Sequence, residues 1–460
     1  MPRFVKTRIM RSPYPGGFGL LGLIAVLAVG VRLVALNQGF VDRWSWRQSD
    51  VAAIARNYSQ TGFHFAYPQI DWSGNASGYV GTEFPILPFI AALCYRFLGV
   101  HEWIGRSESV LFFALSLPFF AALVCETFGG AAARWALIFY SFAPLSVMTS
   151  RCFMPDIPSL SLSIIGLYYF IRWLEKDQWL VFFLSAFAIS LALLIKLPSA
   201  IIGAPLACAA LQRYGGSAFR RPALWLFGLL VLGPSIGWYL HAVHVAKQFY
   251  PHHFFGEGGI QLMGFAWYWN IARRIITSSV TIVPLVLAGI GLFLARKIDR
   301  AFLFYWWLAA IIVFVLVAGY GNRHPWYQLP LIPIVAMFGG VAMASVWSAL
   351  GRRSWLKIAI TFIILAFGVQ SYTALHKLYR PTAADLRTVG LALKEHTPPG
   401  SLIVIADYGD PTAFYYGERK GWHFLEKDAI YNGHPSFSAD AISDLEHLRQ
   451  QGATHLVLYS

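Results

Sequence analysis

The stretch FPILPFIAALCYRFL, Phe84–Leu98, decides how the whole chain is threaded. It is apolar apart from Arg96 and resembles a membrane span. At about 1.5 Å per residue it would make a helix of roughly 22 Å, short of a hydrocarbon core of roughly 30 Å. Pro85 and Pro88 crowd its start. If it crosses, every later loop changes sides, and the loop charges test that.

Charged residues are 13% of the 460, against about 25% in a soluble domain. Mean hydropathy is +0.55. This is the composition of a polytopic α-helical membrane protein. Apolar runs of roughly 17–25 residues, with a few shorter ones, predict about 11 spans, from Phe18–Leu36 to Leu356–Leu375. With Phe84–Leu98 left out, one set of short loops collects Arg134, Arg172 with Lys176, Arg213 with Arg220 and Arg221, Arg296 with Lys297 and Arg300, and Arg352 with Arg353 and Lys357. Basic short loops mark the cytoplasmic side. The reading is therefore a juxtamembrane or re-entrant helix at Phe84–Leu98, with the N-terminus inside and the C-terminus outside.

The net charge of +14 follows from those loops, and no nucleic-acid motif accompanies it. Four cysteines, Cys94, Cys125, Cys152 and Cys208, show no metal-ligand spacing. His252 and His253 near Glu257 resemble a ligand cluster, but no partner spacing closes a zinc site. A divalent metal is left open. The stretch FFGEGG, Phe254–Gly259, reads as an outer loop that closes over a substrate.

The chain divides into a multi-span unit over 1–379, with a long outer loop at 37–109, and a small α/β unit over 380–460. In the latter, Ala383–His396 and Ala439–Gln451 read as helices, and Leu402–Ala406 and His455–Tyr459 as strands. It carries no dinucleotide fingerprint and no phosphate loop.

This threading gathers acids on the outer face: Asp42, Asp50, Asp71, Glu83 and Asp156. The stretch Ser150–Phe170 places Asp156 between Pro155 and Pro158 at the mouth of an apolar run. A carboxylate there suits the positive end of a helix dipole, so Asp156 reads equally as a helix start or as chemistry. Asp50 reads as a cap or a base, and Glu83 as an interfacial cap or an acid in contact with an acceptor or metal. His324 and Arg323, with Tyr327, are expected to meet a phosphate, and so are the outer cations Arg151 and Lys196. Carboxylates that take a proton, beside cations that hold a leaving phosphate, are what group transfer needs.

Five stretches carry a family resemblance: Trp46, Arg47, Gln48, Asp50, Ala55 and Arg56; TEFPILPF, Thr82–Phe89; GRSESVLFF, Gly105–Phe113; RCFMPDIPSL, Arg151–Leu160; and HPWYQLPLIP, His324–Pro333. In this order the chain resembles, over about residues 18–350, the GT-C class of membrane glycosyltransferases near glycosyltransferase family 39, which includes protein O-mannosyltransferases and the lipid A aminoarabinose transferase. The resemblance implies a sugar moved from a polyprenyl-phosphate donor to a lipid, glycan or protein acceptor on the outer face of a bacterial inner membrane. The family's Asp-Glu pair after the first span falls here on Arg47-Gln48. Asp50, one turn further along, is then expected to be the base, with Asp42 its competitor and Asp156 and Glu83 beside it. The alternatives are a transporter or lipid-carrier flippase, and a non-catalytic scaffold.

Overall fold

A computed structural model describes residues 18–255, 259–349, 355–424 and 439–458. Helix α1 spans Phe18–Leu33, and α2, Ser45–Thr61, lies in the loop that follows. Helix α3 is Ile86–Leu98, α4 Glu102–Phe128, α5 Gly130–Phe142, α6 Pro144–Thr149, α7 Asp156–Lys176 and α8 Trp179–Ile195. Then come α9 at Gly203–Tyr214, α10 at Pro222–Gln248, α11 at Phe265–Arg274, α12 at Ile282–Ala295, α13 at Phe302–Val317, α14 at Leu331–Ser348 and α15 at Trp355–Tyr379.

Two ion-pair groups mark the ends of the bundle. Helix α7 starts at Asp156, which meets Lys196 at the end of α8. It closes at Lys176, where Arg172 pairs with Glu126 of α4 and Arg300 with Glu175. At 1.5 Å per residue those ends are about 30 Å apart. Helix α4 starts at the Asp156 end: Tyr416 hydrogen-bonds Glu102, and Arg106 pairs with Asp42. Helix α3 therefore begins and finishes at one end of the bundle. It buries Leu87, Ala91, Ala92 and Tyr95 and exposes Leu93 and Phe97, an amphipathic pattern along an interface.

Among the described residues, six helices are long and apolar enough to span a membrane by themselves. The 11 expected spans are not all single helices. Pro144 lacks a donor and breaks the expected span Ala132–Met148 into α5 and α6. The chain turns by 106° between the segment Phe265–Ser279 and α12. Helices α1 and α8 are apolar but short. Small residues set the packing. A Cβ on Gly291 would sit 1.8 Å from the Phe338 carbonyl, and one on Gly340 would sit 2.5 Å from that of Ala132. Helix α14 thus packs backbone to backbone on α12 and α5. Arg32, fully buried, ties α1 to α5 through the Ser141 carbonyl and to α6 through Ser146 and Ser150, with its guanidinium 3.4 Å from the Phe113 ring centroid.

Beyond α15 lie α16 at Ala384–His396, β1 at Leu402–Ile405, α17 at Thr412–Gly417, β2 at Lys420–His423, α18 at Ala439–Gln450 and β3 at His455–Val457. The strands form a parallel sheet in the order β2-β1-β3. Helix α17 and strand β2 were not legible in the sequence. The first loop adds itself to this sheet: Gly74 N–H donates to the Gly421 carbonyl at 2.6 Å, and Gly421 N–H to that of Asp71 at 3.1 Å. Thr382 N–H binds the Val41 carbonyl at 2.7 Å. The C-terminal segment is thereby seated on the Asp156 end of the bundle.

Candidate active site

Three backbone junctions build the site. Helix α2 presents Trp46 and Arg47. The segment before α3 presents Glu83 and is tied to the end of α8 by Phe84 N–H donating to the Leu194 carbonyl at 3.0 Å. The loop after α10 returns to the same segment, with Gly81 N–H donating to the His253 carbonyl at 3.0 Å. The turns between α13 and α14 add Arg323, His324, Trp326 and Tyr327.

Glu83 is the centre of the charge network. Arg47 Nη2 donates to both its oxygens, at 2.9 and 2.7 Å, and Thr82 Oγ1 donates to Oε2 at 3.1 Å. Lys196 Nζ lies 3.6 Å from Glu83 and 3.1 Å from Asp156 Oδ1. Burial would raise the Glu83 carboxyl, but Arg47 and Lys196 hold it below its ordinary value. Burial would lower Lys196; Asp156 and Glu83 outweigh it and keep the ammonium charged. Asp156 makes no side-chain cap bond on α7, although it is the helix's first residue. Its Oδ2 is buried without a hydrogen-bond partner among the described residues.

Arg47, Glu83 and Lys196 face a cavity of about 370 Å³, walled also by Trp46, His253, Phe255, Tyr320, Arg323, His324, Trp326 and Tyr327. Asp156 does not line it; it lies in a smaller adjoining pocket with Lys196, Trp326 and Tyr327. His324 stacks on Trp326, with centroids 4.6 Å apart and planes 2° apart, and accepts from Arg323 Nε at 3.0 Å through Nε2. Burial, then the cations Arg323 and Lys196, push its pKa down to about 3, so it is a neutral acceptor. An adjoining groove of about 290 Å³ shares Glu83, Lys196 and Tyr327 and is otherwise mostly apolar, with Leu197, Ile260, Phe314 and Val317. A polar chamber thus continues into an apolar channel across Lys196.

The structure brings together Glu83, Asp156, Lys196, Arg323, His324 and Tyr327 from the expected set. Two of the expected residues lie elsewhere. Asp50 is not in a first helical turn, since α2 starts at Ser45, and it does not line the cavity. It accepts from Trp72 Nε1 at 2.9 Å, behind Arg47 and towards the C-terminal sheet. Burial raises its carboxyl to about 7, against the Trp72 hydrogen bond and the Arg47 charge. Arg151 is fully buried, 3.7 Å from Asp42, donating to the Ala35 carbonyl at 2.7 Å and stacked 4.2 Å from the Tyr379 ring centroid. Its charge is spent on the fold, away from the cavity. Asp42, the competitor for the base, is enclosed by Arg106, Arg151 and Gln48 at 3.4, 3.7 and 2.9 Å.

Arg47, His253 and Trp46 line the cavity and were not among the expected site residues. Arg47 had one signal: it occupies a position where the resembled family carries an acid. His253 is forced down to about 4 by burial and by Arg47, which suits a neutral wall rather than a charged one. Glu257 and the middle of the expected closing loop lie outside the described residues. Among the described residues no group of three or more His, Cys, Asp or Glu side chains is arranged to hold a metal ion.

The architecture is that of the GT-C membrane glycosyltransferases, and the chain resembles glycosyltransferase family 39. Residues 82–238 match the dolichyl-phosphate-mannose-protein mannosyltransferase family. ArnT from Cupriavidus metallidurans, bound to undecaprenyl phosphate, is similar with a TM-score of 0.68 and 14% identity, over 95% of this chain and 90% of that one. The Archaeoglobus fulgidus oligosaccharyltransferase in the apo form is similar with a TM-score of 0.64 and 14% identity, over 96% of this chain and 69% of that one. AglB from Archaeoglobus fulgidus, in complex with an inhibitory peptide and a dolichol-phosphate, gives 0.62 and 12% identity, over 95% and 68%. No curated protein sequence matches the chain.

Proposed function

We propose that this protein is a glycosyltransferase that moves a sugar from a polyprenyl-phosphate donor to an acceptor hydroxyl at the outer face of the membrane. The observation that carries this reading is Lys196, which stands between Glu83 and Asp156 where a polar cavity meets an apolar groove. The groove suits a prenyl chain entering from the bilayer, and the cavity suits the phosphate and sugar. ArnT bound to undecaprenyl phosphate and AglB bound to a dolichol-phosphate share the fold and support a lipid-linked donor.

Arg47, Lys196 and Arg323 neutralise the donor phosphate, with Tyr327 beside it. The unpartnered oxygen of Asp156, in the small pocket beside Lys196 and Tyr327, takes the acceptor's proton as the acceptor oxygen attacks the anomeric carbon. The new C–O bond forms as the bond from that carbon to the phosphate oxygen breaks. The polyprenyl phosphate leaves with the electron pair, and the anomeric configuration inverts. Glu83 stays ionised and holds Arg47 and Lys196 in place. Flippases and transporters set ionisable groups near the bilayer midplane; here the Glu83, Asp156, Lys196 and Arg47 group lies at the Asp156 end of α7.

The test is transfer by purified protein from a panel of polyprenyl-phosphate sugars, read as release of polyprenyl phosphate and labelled product. Loss in both Lys196→Met and Asp156→Asn supports the reading. Unchanged transfer in both overturns it.

A further inference from the structure

The C-terminal sheet reaches the site through one tryptophan. Trp72 sits in the loop between α2 and α3, and its indole N–H donates to Asp50 Oδ1 at 2.9 Å. One edge of its ring meets His253 of the cavity wall, centroids 5.1 Å apart. His423, the last residue of β2, lies 5.3 Å from the same ring. His423 is itself held: its Nδ1 is 2.6 Å from Asp407 Oδ1, two residues past the end of β1, which also accepts from Gly409 N–H at 3.0 Å. Asp410 is fixed by Ser45 at 2.7 Å and by Thr412, so α2 and the sheet are also joined alongside this pair.

This is a continuous arrangement from Asp407 through His423 and Trp72 to Asp50, one turn behind Arg47 on α2. Asp50 is 3% exposed, so water cannot carry its charge. The groups facing it are Arg47 on its own helix, Trp72 from the loop, and His423 with Asp410 from the C-terminal segment. Arg47 is already committed to both oxygens of Glu83. Beside the Trp72 hydrogen bond and the Arg47 charge, a positive His423 favours the ionised Asp50. An ionised Asp50 attracts Arg47, as Glu83 does.

We infer that His423 is a positioning residue for the transfer: held by Asp407, it fixes Trp72 and the Asp50 carboxylate behind Arg47, and so sets the arginine that grips Glu83. The inference rests on the transfer reaction proposed above. It makes the C-terminal α/β segment a working part of the site. The electrostatics agree with the geometry. Burial would lower His423, but Asp407, and beyond it Asp50 and Asp410, raise it above the ordinary imidazole value.

The test uses full-length protein in lipid nanodiscs as wild type, His423→Gln, Asp407→Asn, Asp50→Asn and the Asp50→Asn/His423→Gln pair. Sugar release from a polyprenyl-phosphate donor is followed across pH. The wild-type rate should fall on the acid side as Asp50 takes up its proton. His423→Gln removes the facing cation, so that limb should move up by about one unit, a loss of about tenfold on the acid side. Asp407→Asn should move it the same way by less. Asp50→Asn should abolish the limb, and adding His423→Gln should then change nothing further. A His423→Gln rate lowered by one factor at every pH, with the limb unmoved, would overturn the inference. If the wild type transfers no sugar, the proposed reaction fails by itself. The same limb is then read from the pH dependence of undecaprenyl phosphate binding, where an unmoved midpoint in His423→Gln again overturns the positioning role.

Discussion

Lys196 Nζ lies 3.1 Å from Asp156 Oδ1, joining the C-terminal end of α8 to the first residue of α7. The two residues are 40 positions apart, and α7 and α8 form an antiparallel hairpin that closes on this pair. Both side chains are nearly inaccessible, at 11% and 4%. A buried pair of this kind is costly to break, because removing one partner leaves the other charge unmet.

Lys196→Met should therefore cost transfer and stability together. Asp156 and Glu83 lose their shared cation, and breaking a buried pair costs about 3–5 kcal/mol. Lys196→Arg keeps the charge and should retain more stability than Met. Thermal melting in nanodiscs, beside undecaprenyl phosphate binding, separates the two effects. Equal melting temperatures for Met and Arg would show that the charge is not needed.

Asp156→Asn should lower turnover by about 10²–10⁴-fold, the usual contribution of a positioned general base. Donor binding should change little, because Lys196, Arg47 and Arg323 remain. Single-turnover rates beside equilibrium binding read this difference. Equal losses in both would move Asp156 from proton transfer to donor binding.

Stability should depend on pH with a sign set by each group. Asp50 titrates near 7 when folded and at an ordinary 3.8 otherwise, so the folded state binds its proton more tightly. That contribution is whole below about pH 4 and is lost as pH rises towards 7. His423 acts in the same direction: raised above 6.5, it stabilises below that value and loses its effect as pH rises through its folded pKa. His324 and His253, held at about 3 and 4, act in the opposite direction, and their contribution is lost as pH falls below 6.5. Relative to wild type, Asp50→Asn should gain melting temperature between about pH 4 and 7. A difference that stays constant over that window would show that Asp50 is not buried with a raised pKa.

Asp42→Asn should destabilise the fold by about 3–5 kcal/mol, since Arg106 and Arg151 would then face each other without a shared anion. The triple change Asp42→Asn with Arg106→Met and Arg151→Met should recover much of that loss. Variants that fold should bind undecaprenyl phosphate as wild type does, because none of the three residues lines the cavity. Chemical unfolding and binding assays check both statements, and a selective loss of binding in folded Arg151→Met would restore Arg151 to the site.

Much of the architecture was legible because hydrophobic length and loop charge are local properties. Phe84–Leu98 was too short and too proline-rich at its start to span, and α3 does lie along one end of the bundle. The acids were legible as a group, since the sequence reading expected Glu83 and Asp156 on one face and the structure joins both to Lys196. Less legible were helix breaks such as Ala143–Pro144 and short elements such as α17 and β2, where a handful of residues carries no periodicity.

The sequence by itself determined the membrane class, the helical end that carries the acids, and the chemistry these side chains can perform, because composition and spacing set them. Only the tertiary structure decided which acid meets which cation. Asp50, Asp42, Glu83 and Asp156 are alike in type and in expected side. Long-range packing turns Asp50 towards Trp72, encloses Asp42 between two arginines, and leaves Glu83 and Asp156 to share Lys196. Burial and pairing energies fall off within a few ångströms, so partnership is a property of the folded neighbourhood and not of position along the chain.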